Sequence, residues 1–172
     1  VKLHAARPVP DKLSFSIAGE PKGKQRAIAG KSFGSGKIVM RTPPETIARE
    51  KEILHLFKSR FPNHRPWSGP ILFRITAIFG IPAYFTAQQR ALAMEGKVYA
   101  TKKPDKDNIE KLVLDALNGI AWVDDAQLSG GTIKRYGEPA RIAVTFERLH
   151  NPFELRGDKQ RRGGQRRQKP LF

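Results

Sequence analysis

Asp105-Lys106-Asp107-Asn108-Ile109-Glu110-Lys111-Leu112-Val113-Leu114-Asp115-Ala116-Leu117-Asn118-Gly119 is the stretch around which the rest of this 172-residue chain can be ordered. At 100° per residue Ile109, Leu112, Val113 and Ala116 gather on one side with Leu117 at the margin, which predicts an amphipathic helix over 108–118 closed by Gly119. Asp107, Lys111 and Asp115 recur at i, i+4 and i+8 on the opposite side. A charged stripe facing away from an apolar one is common to surface helices, and Asp107 followed by Glu110 also reads as a capping box. The neighbours carry more information. Asp105 stands just before the helix, and Asp124-Asp125 follows it after a short apolar link at 120–123. A helix of about eleven residues is about 16 Å long, so the link is expected to fold back and bring Asp125 and Asp124 toward Asp105 and Asp107. Such a set holds oxygen and neither histidine nor sulfur, which suits magnesium or manganese far better than zinc.

Residues 13–18 alternate apolar and polar as a half-buried strand does, and 38–40 reads as its partner. Between them lies a Gly- and Lys-rich loop whose Lys22, Lys24, Arg26 and Lys31 are suited to gripping phosphates, and Lys102 and Lys103 extend the same cationic set. Gly30-Lys31-Ser32 resembles part of a P-loop, but that motif requires Gly where Gln25 stands, so no nucleoside-triphosphate site is expected. Thr42-Pro43-Pro44-Glu45 predicts a helix start, with Thr42 as N-cap and Glu45 closing a capping box, and the helix is expected to run to about residue 61. Its apolar arc is Ile47, Ile53, Leu54, Phe57 and Phe61. Residues 69–81 read as a long buried strand ended by Pro82, 84–96 as a short helix over a loop, and 127–135 with 140–147 as a hairpin about Gly137-Glu138-Pro139. Trp122 reads as core. The fold class expected is α+β.

The formal charge is +16, from 32 Lys and Arg against 16 Asp and Glu, with a pI near 10.5. Phosphate neutralisation releases counterions, so such a balance points to nucleic acid as partner. Residues 101–150 hold eight bases and eight acids, whereas 151–172 hold seven bases and two acids with almost nothing to bury. The expected organisation is a domain over 1–150 with its core in 13–148, and a basic flexible tail over 151–172. With no cysteine, disulfides, thiol catalysis and cysteine-bound zinc are excluded, and His4, His55, His64 and His150 show no metal-binding spacing. No apolar run approaches the roughly 20 residues that span a bilayer, and the expected location is the cytoplasm.

The run from Lys103 to Gly119, followed by Asp124-Asp125-Ala126-Gln127, resembles the signature of the RusA family of Holliday junction resolvases. The family pattern is Asp-x-Asp-Asn, a Lys four residues after the second Asp, Asp-Ala-Leu, and a later Asp-Asp-x-Gln; every one of those positions is filled. Pro21-Lys22-Gly23-Lys24 is similar to the family's basic segment after its first strand, although Lys24-Gln25-Arg26 departs from the commoner Arg-Pro-Arg. The resemblance covers residues 13–148. It implies a small mixed sheet packed against helices, essential carboxylates at Asp105, Asp107 and Asp125 with Asp124 beside them, and an essential lysine at Lys111. It further implies a homodimer that cuts DNA by magnesium-dependent hydrolysis, placing paired nicks at a four-way junction.

In that chemistry the carboxylates would hold magnesium, with manganese as a possible substitute, to activate water and neutralise the scissile phosphate. Lys111, one turn beyond Asp107, would donate to a phosphate or leaving-group oxygen. Asp124 and Asp125, taken as neighbours on a strand, point apart, so one of the two is expected to be a ligand. Asp115 is expected to orient Lys111 or a neighbouring loop. Two rival readings remain: a non-catalytic nucleic-acid-binding protein whose acids cap helices, and a metal nuclease acting on flaps or simple duplex.

Overall fold

The computed structural model of the chain describes residues 11–31 and 37–150, Lys31 by its backbone alone. The basic tail expected over 151–172 and the side chain of Lys31 lie outside the described residues. Along the chain come β1 (Lys12–Ala18), β2 (Ile28–Lys31), β3 (Ile38–Arg41), α1 (Pro44–Arg60), β4 (Ile71–Phe79), α2 (Ala87–Met94), α3 (Lys106–Leu117), β5 (Leu128–Tyr136) and β6 (Arg141–Arg148). The fold class is α+β, as expected.

Four strands form one mixed sheet in the order β1-β6-β4-β5, with β4 and β5 parallel and the other pairs antiparallel. Register puts Leu13 opposite Phe146, Phe15 opposite Val144 and Ile17 opposite Ile142, while Phe73, Ile75 and Ala77 meet the same three β6 residues from the other side. One face of the sheet is therefore continuously apolar. Helices α1 and α3 pack on each other and cover it, burying Ile53, Phe57, Ile109, Leu112, Val113 and Leu117. The opposite face is polar and wet, with Ser14 hydrogen-bonded to Thr145 and Arg74 paired to Glu147, the division typical of sheets solvated on one side.

Two pairings differ from the expectation. β5 and β6 do not form a hairpin: the turn after Tyr136 crosses the end of β4, where Gly137 N–H donates to the Phe79 carbonyl, so that β4 lies between them. β4 is apolar at nearly every position and must be flanked on both sides, whereas Ser129-Gly130-Gly131-Thr132 in β5 has little to bury and suits a place at the side of the sheet. β1 likewise pairs with β6 and not with residues 38–40, because only β6 offers three buried partners in register; β3 instead pairs with β2 in a separate two-stranded ribbon.

The helix starts also shift. α1 begins at Pro44 with Pro43 in the cap position and no side-chain cap, so the Thr42–Glu45 box is not formed. Glu45 accepts instead from Gln25, and Thr46, buried, accepts from the Gln25 backbone, while Ile47 faces solvent. The strand expected over 69–81 is trimmed to Ile71–Phe79, and the short helix expected in 84–96 is α2, capped by a reciprocal Thr86–Gln89 box.

The β4–β5 approach leaves no room for a side chain at Gly130, whose φ is +150° and where a Cβ would stand 1.9 Å from the Phe73 carbonyl oxygen. Gly130→Ala is expected to lower the unfolding free energy by about 3 kcal/mol, from strain and forced separation of the strands, measurable by urea denaturation.

Candidate active site

Of the acids along α3, Asp107 lies in the first turn and Asp105 stands immediately before it. Asp105 is the N-cap by position, yet its side chain makes no cap hydrogen bond, and Glu110, expected to close a box on Asp107, accepts from Thr132 Oγ1 at 2.9 Å instead. Aspartate at an N-cap ordinarily satisfies a free N–H of the first turn. Here the carboxylates of Asp105 and Asp107 are exposed and, among the described residues, take part in no hydrogen bond or ion pair. Lys111 is exposed and uncommitted in the same sense, one turn further along the same side.

Two clefts meet at Asp105. One, of about 820 Å³, lies between the Pro21–Arg26 loop, the start of α1 and the start of α3, with Lys22, Arg26 and Lys103 on its walls. The other, of about 440 Å³, is lined by Asp105, Asp107, Lys106, Thr132 and Lys134. The loop is fastened to α3: Lys24 N–H donates to the Asn108 carbonyl at 2.8 Å, and a Cβ on Gly23 would come within 3.0 Å of both Pro104 and Asn108 side chains. The cations thus approach the acids because backbone contacts hold them there.

Not every expected cation is free. The Lys24 ammonium sits between Glu50 at 2.9 Å and Asp115 at 2.5 Å, so two acids engage it and Asp115 holds the neighbouring loop. Partial burial pulls the Lys24 pKa down, but hydrogen bonds and charge from Asp115 and Glu50 outweigh it and leave it above the ordinary lysine value. A raised lysine pKa contributes stability in full below the unfolded value of about 10.4, lost as pH rises through the folded one. Lys24→Ala is expected to cost about 1 kcal/mol at neutral pH, the deficit shrinking in strong alkali, as read from denaturation curves. Lys102 lies 4.8 Å above the Phe79 ring and 3.6 Å from Glu20, and Lys134 donates to the Lys102 carbonyl. Lys22, Arg26 and Lys103 are exposed at the clefts.

Asp125 is elsewhere. It opens a 3-10 turn, Asp125–Gln127, for which Asp124 is the N-cap, so the pair does not lie on a strand. Asp124 accepts from Ala126 N–H at 2.9 Å. Asp125 accepts from Trp122 Nε1 at 2.8 Å and from Asn118 Nδ2 at 3.1 Å, which fixes it at the C-terminal end of α3. Twelve residues of helix are about 18 Å, so the expected fold-back of the link is not found: Asp105 and Asp107 stand at one end of α3 and Asp124 and Asp125 at the other. Among the described residues no three acids or histidines are close enough to share a metal ion. The pair Asp105 and Asp107 fits a hard cation on its own terms, since magnesium is commonly held by one or two carboxylates plus phosphate and water.

Two residues matter more than their sequence reading showed. Trp122, fully buried against Phe146 at 4.9 Å, is both core and the donor that orients Asp125. Gln127 uses its whole amide: Oε1 accepts from Val123 and Asp124 N–H, and Nε2 donates to the Trp67 and Gly69 carbonyls. It ties the Asp125 turn to the start of β4. The Asp-Asp-x-Gln spacing was the available signal, but an amide carries no charge to mark it.

Exposed Asp105 and Asp107 thus lie beside Lys106 and Lys134 in one cleft, and Asp105 beside Lys22, Arg26 and Lys103 in the other. The chain belongs to the endodeoxyribonuclease RusA family, whose model it matches over residues 18–147. It is also similar to YqaN of Bacillus subtilis (strain 168), an uncharacterized protein: 30% identical over 145 residues, covering 81% of this chain and 98% of that one. Membership in the family implies endodeoxyribonuclease activity. Among the described residues no helix is long and apolar enough to cross a membrane.

Proposed function

We propose that the protein is a magnesium-dependent, structure-selective endodeoxyribonuclease of the cytoplasm that resolves Holliday junctions, acting as a homodimer and nicking two strands symmetrically. The observation that carries this reading is the pair Asp105 and Asp107, left without side-chain partners among the described residues at a helix start where capping would be expected. Magnesium, or manganese in its place, would supply an activated water and offset charge at the scissile phosphate. Asp105 and Asp107 would hold the ion. Lys22, Arg26 and Lys103 draw the DNA backbone into the larger cleft and set its register without reading bases. Lys111 donates to a phosphate oxygen or to the charge that grows on the leaving oxygen.

Asp125 enters the same chemistry through dimerisation. One helix length separates it from Asp105 and Asp107 in a single protomer, so a cation that takes all three needs the partner's Asp125. A two-fold pair of chains would complete two such sites at once and relate them as the two incised strands of a junction are related. Incubation of the protein with four-way and linear DNA, with and without magnesium, tests the proposal. The expected result is cutting of the junction alone and only with the metal. Equal cutting of linear duplex would indicate a general metal nuclease, and binding without cutting a non-catalytic DNA-binding protein.

A further inference from the structure

The ribbon formed by β2 and β3 leaves four large apolar residues, Ile28, Ile38, Val39 and Met40, exposed within eight residues of strand. Its strands pack on each other far more than on any other element. Ile38 is 77% exposed, Met40 62% and Ile28 59%. The register places Ile38 and Met40 on one face, with Ile28 and Val39 on the other. A two-stranded ribbon is marginal in water by itself, and one with apolar side chains on both faces calls for an occupant.

Charge decides which occupant. From residue 21 to residue 44 the sequence holds six Lys and Arg and no Asp or Glu. A second copy, itself at +16, is a poor match for such a segment, whereas a phosphate backbone complements it. Both ends of the ribbon are rooted at the larger cleft: Arg26 lines it just before β2, and Glu45 and Thr46 line it just after β3. Asp105 lines the same cleft, so a ligand held there would lie beside the root of the ribbon.

Resting on the nuclease reading, we propose that the β2–β3 ribbon is a DNA-engaging arm for branch points. Arg26, Lys37 and Arg41 take backbone phosphates, and Ile38 and Met40 pack on base faces that a branch leaves unstacked. A two-stranded ribbon has the width of a major groove, and apolar side chains inserted at a base step are a known means of holding distorted DNA. Paired duplex hides those base faces, so the apolar contacts favour branched over linear DNA, while the cations favour both alike.

The test uses fluorescence anisotropy with a labelled four-way junction and a linear duplex, in EDTA so that cutting plays no part. Ile38→Ser with Met40→Ser should weaken junction binding about tenfold and leave duplex binding within about twofold. Arg26→Ala, Lys37→Ala and Arg41→Ala together should weaken both and lower the salt slope by about 2 to 3. With the wild-type protein, 2-aminopurine at the branch should brighten on binding, a readout that needs no variant to fold. Unchanged junction affinity in the serine variant, an unchanged salt slope, or a silent 2-aminopurine would overturn the arm. So would conversion of the serine variant from dimer to monomer in sedimentation, which would assign the ribbon to a second copy. If the arm fails while the wild-type protein still cuts junctions with magnesium, the nuclease reading stands; if the wild-type protein neither prefers nor cuts junctions, both fall.

Discussion

Asp107→Asn is expected to reduce junction cleavage by more than about 100-fold, exceeding the 10–100-fold typical of losing a group that only supports a metal ligand. Junction binding should be kept or tightened, because the change removes a negative charge from a surface that meets phosphate. The fold should be unaffected, since the Asp107 carboxylate has no partner among the described residues and Ile109, Leu112, Val113 and Leu117 hold α3 in place. Single-turnover cleavage and anisotropy on the same preparation separate the two effects. Cleavage at a comparable rate would reduce Asp107 to a surface charge of the first helical turn.

The second large effect concerns two inactive proteins mixed together. Asp107→Asn and Asp125→Asn should each be inactive as homodimers. If a site draws Asp105 and Asp107 from one chain and Asp125 from the other, the mixed dimer holds one site with both defects and one with none. Co-refolded mixtures should then recover single-strand nicking, up to about a quarter of wild-type site number for random pairing. A site contained within one chain would leave every mixed dimer dead. Gel analysis of nicked against resolved junctions distinguishes the outcomes, since one intact site gives nicks without paired resolution.

The contrast between what the sequence foretold and what it did not is a contrast between local and distant information. Helix α3 was legible because five apolar residues at helical spacing decide its buried face without reference to the rest of the chain. The open carboxylates were legible as residues but not as open: only the structure shows Asp105 failing to cap and Glu110 turning to Thr132. Strand pairing was misread in both places because proximity in sequence stood in for register. Burial of β4 on both flanks overrode the short turn between β5 and β6, and three matched core residues drew β1 to β6 across the chain. The position of Asp125 depended on a link whose direction no periodicity encodes. Trp122 and Asn118 set it, through hydrogen bonds between side chains of ordinary type. The setting of Lys24 was hidden for a similar reason: its sequence neighbours are basic, and its two acidic partners lie 26 and 91 residues away.

The pairing of β1 with β6 joins residues 12–18 to residues 141–147. Translation delivers the first of these strands long before the second, so a nascent chain still short of Arg141 has an unclosed sheet and an α1 with no complete layer to rest on. The acids at the start of α3 are synthesised earlier but lack their frame. On the proposed function, a product terminated before Arg141 would be unable to cut DNA, and that competence would arrive only with the closing strand.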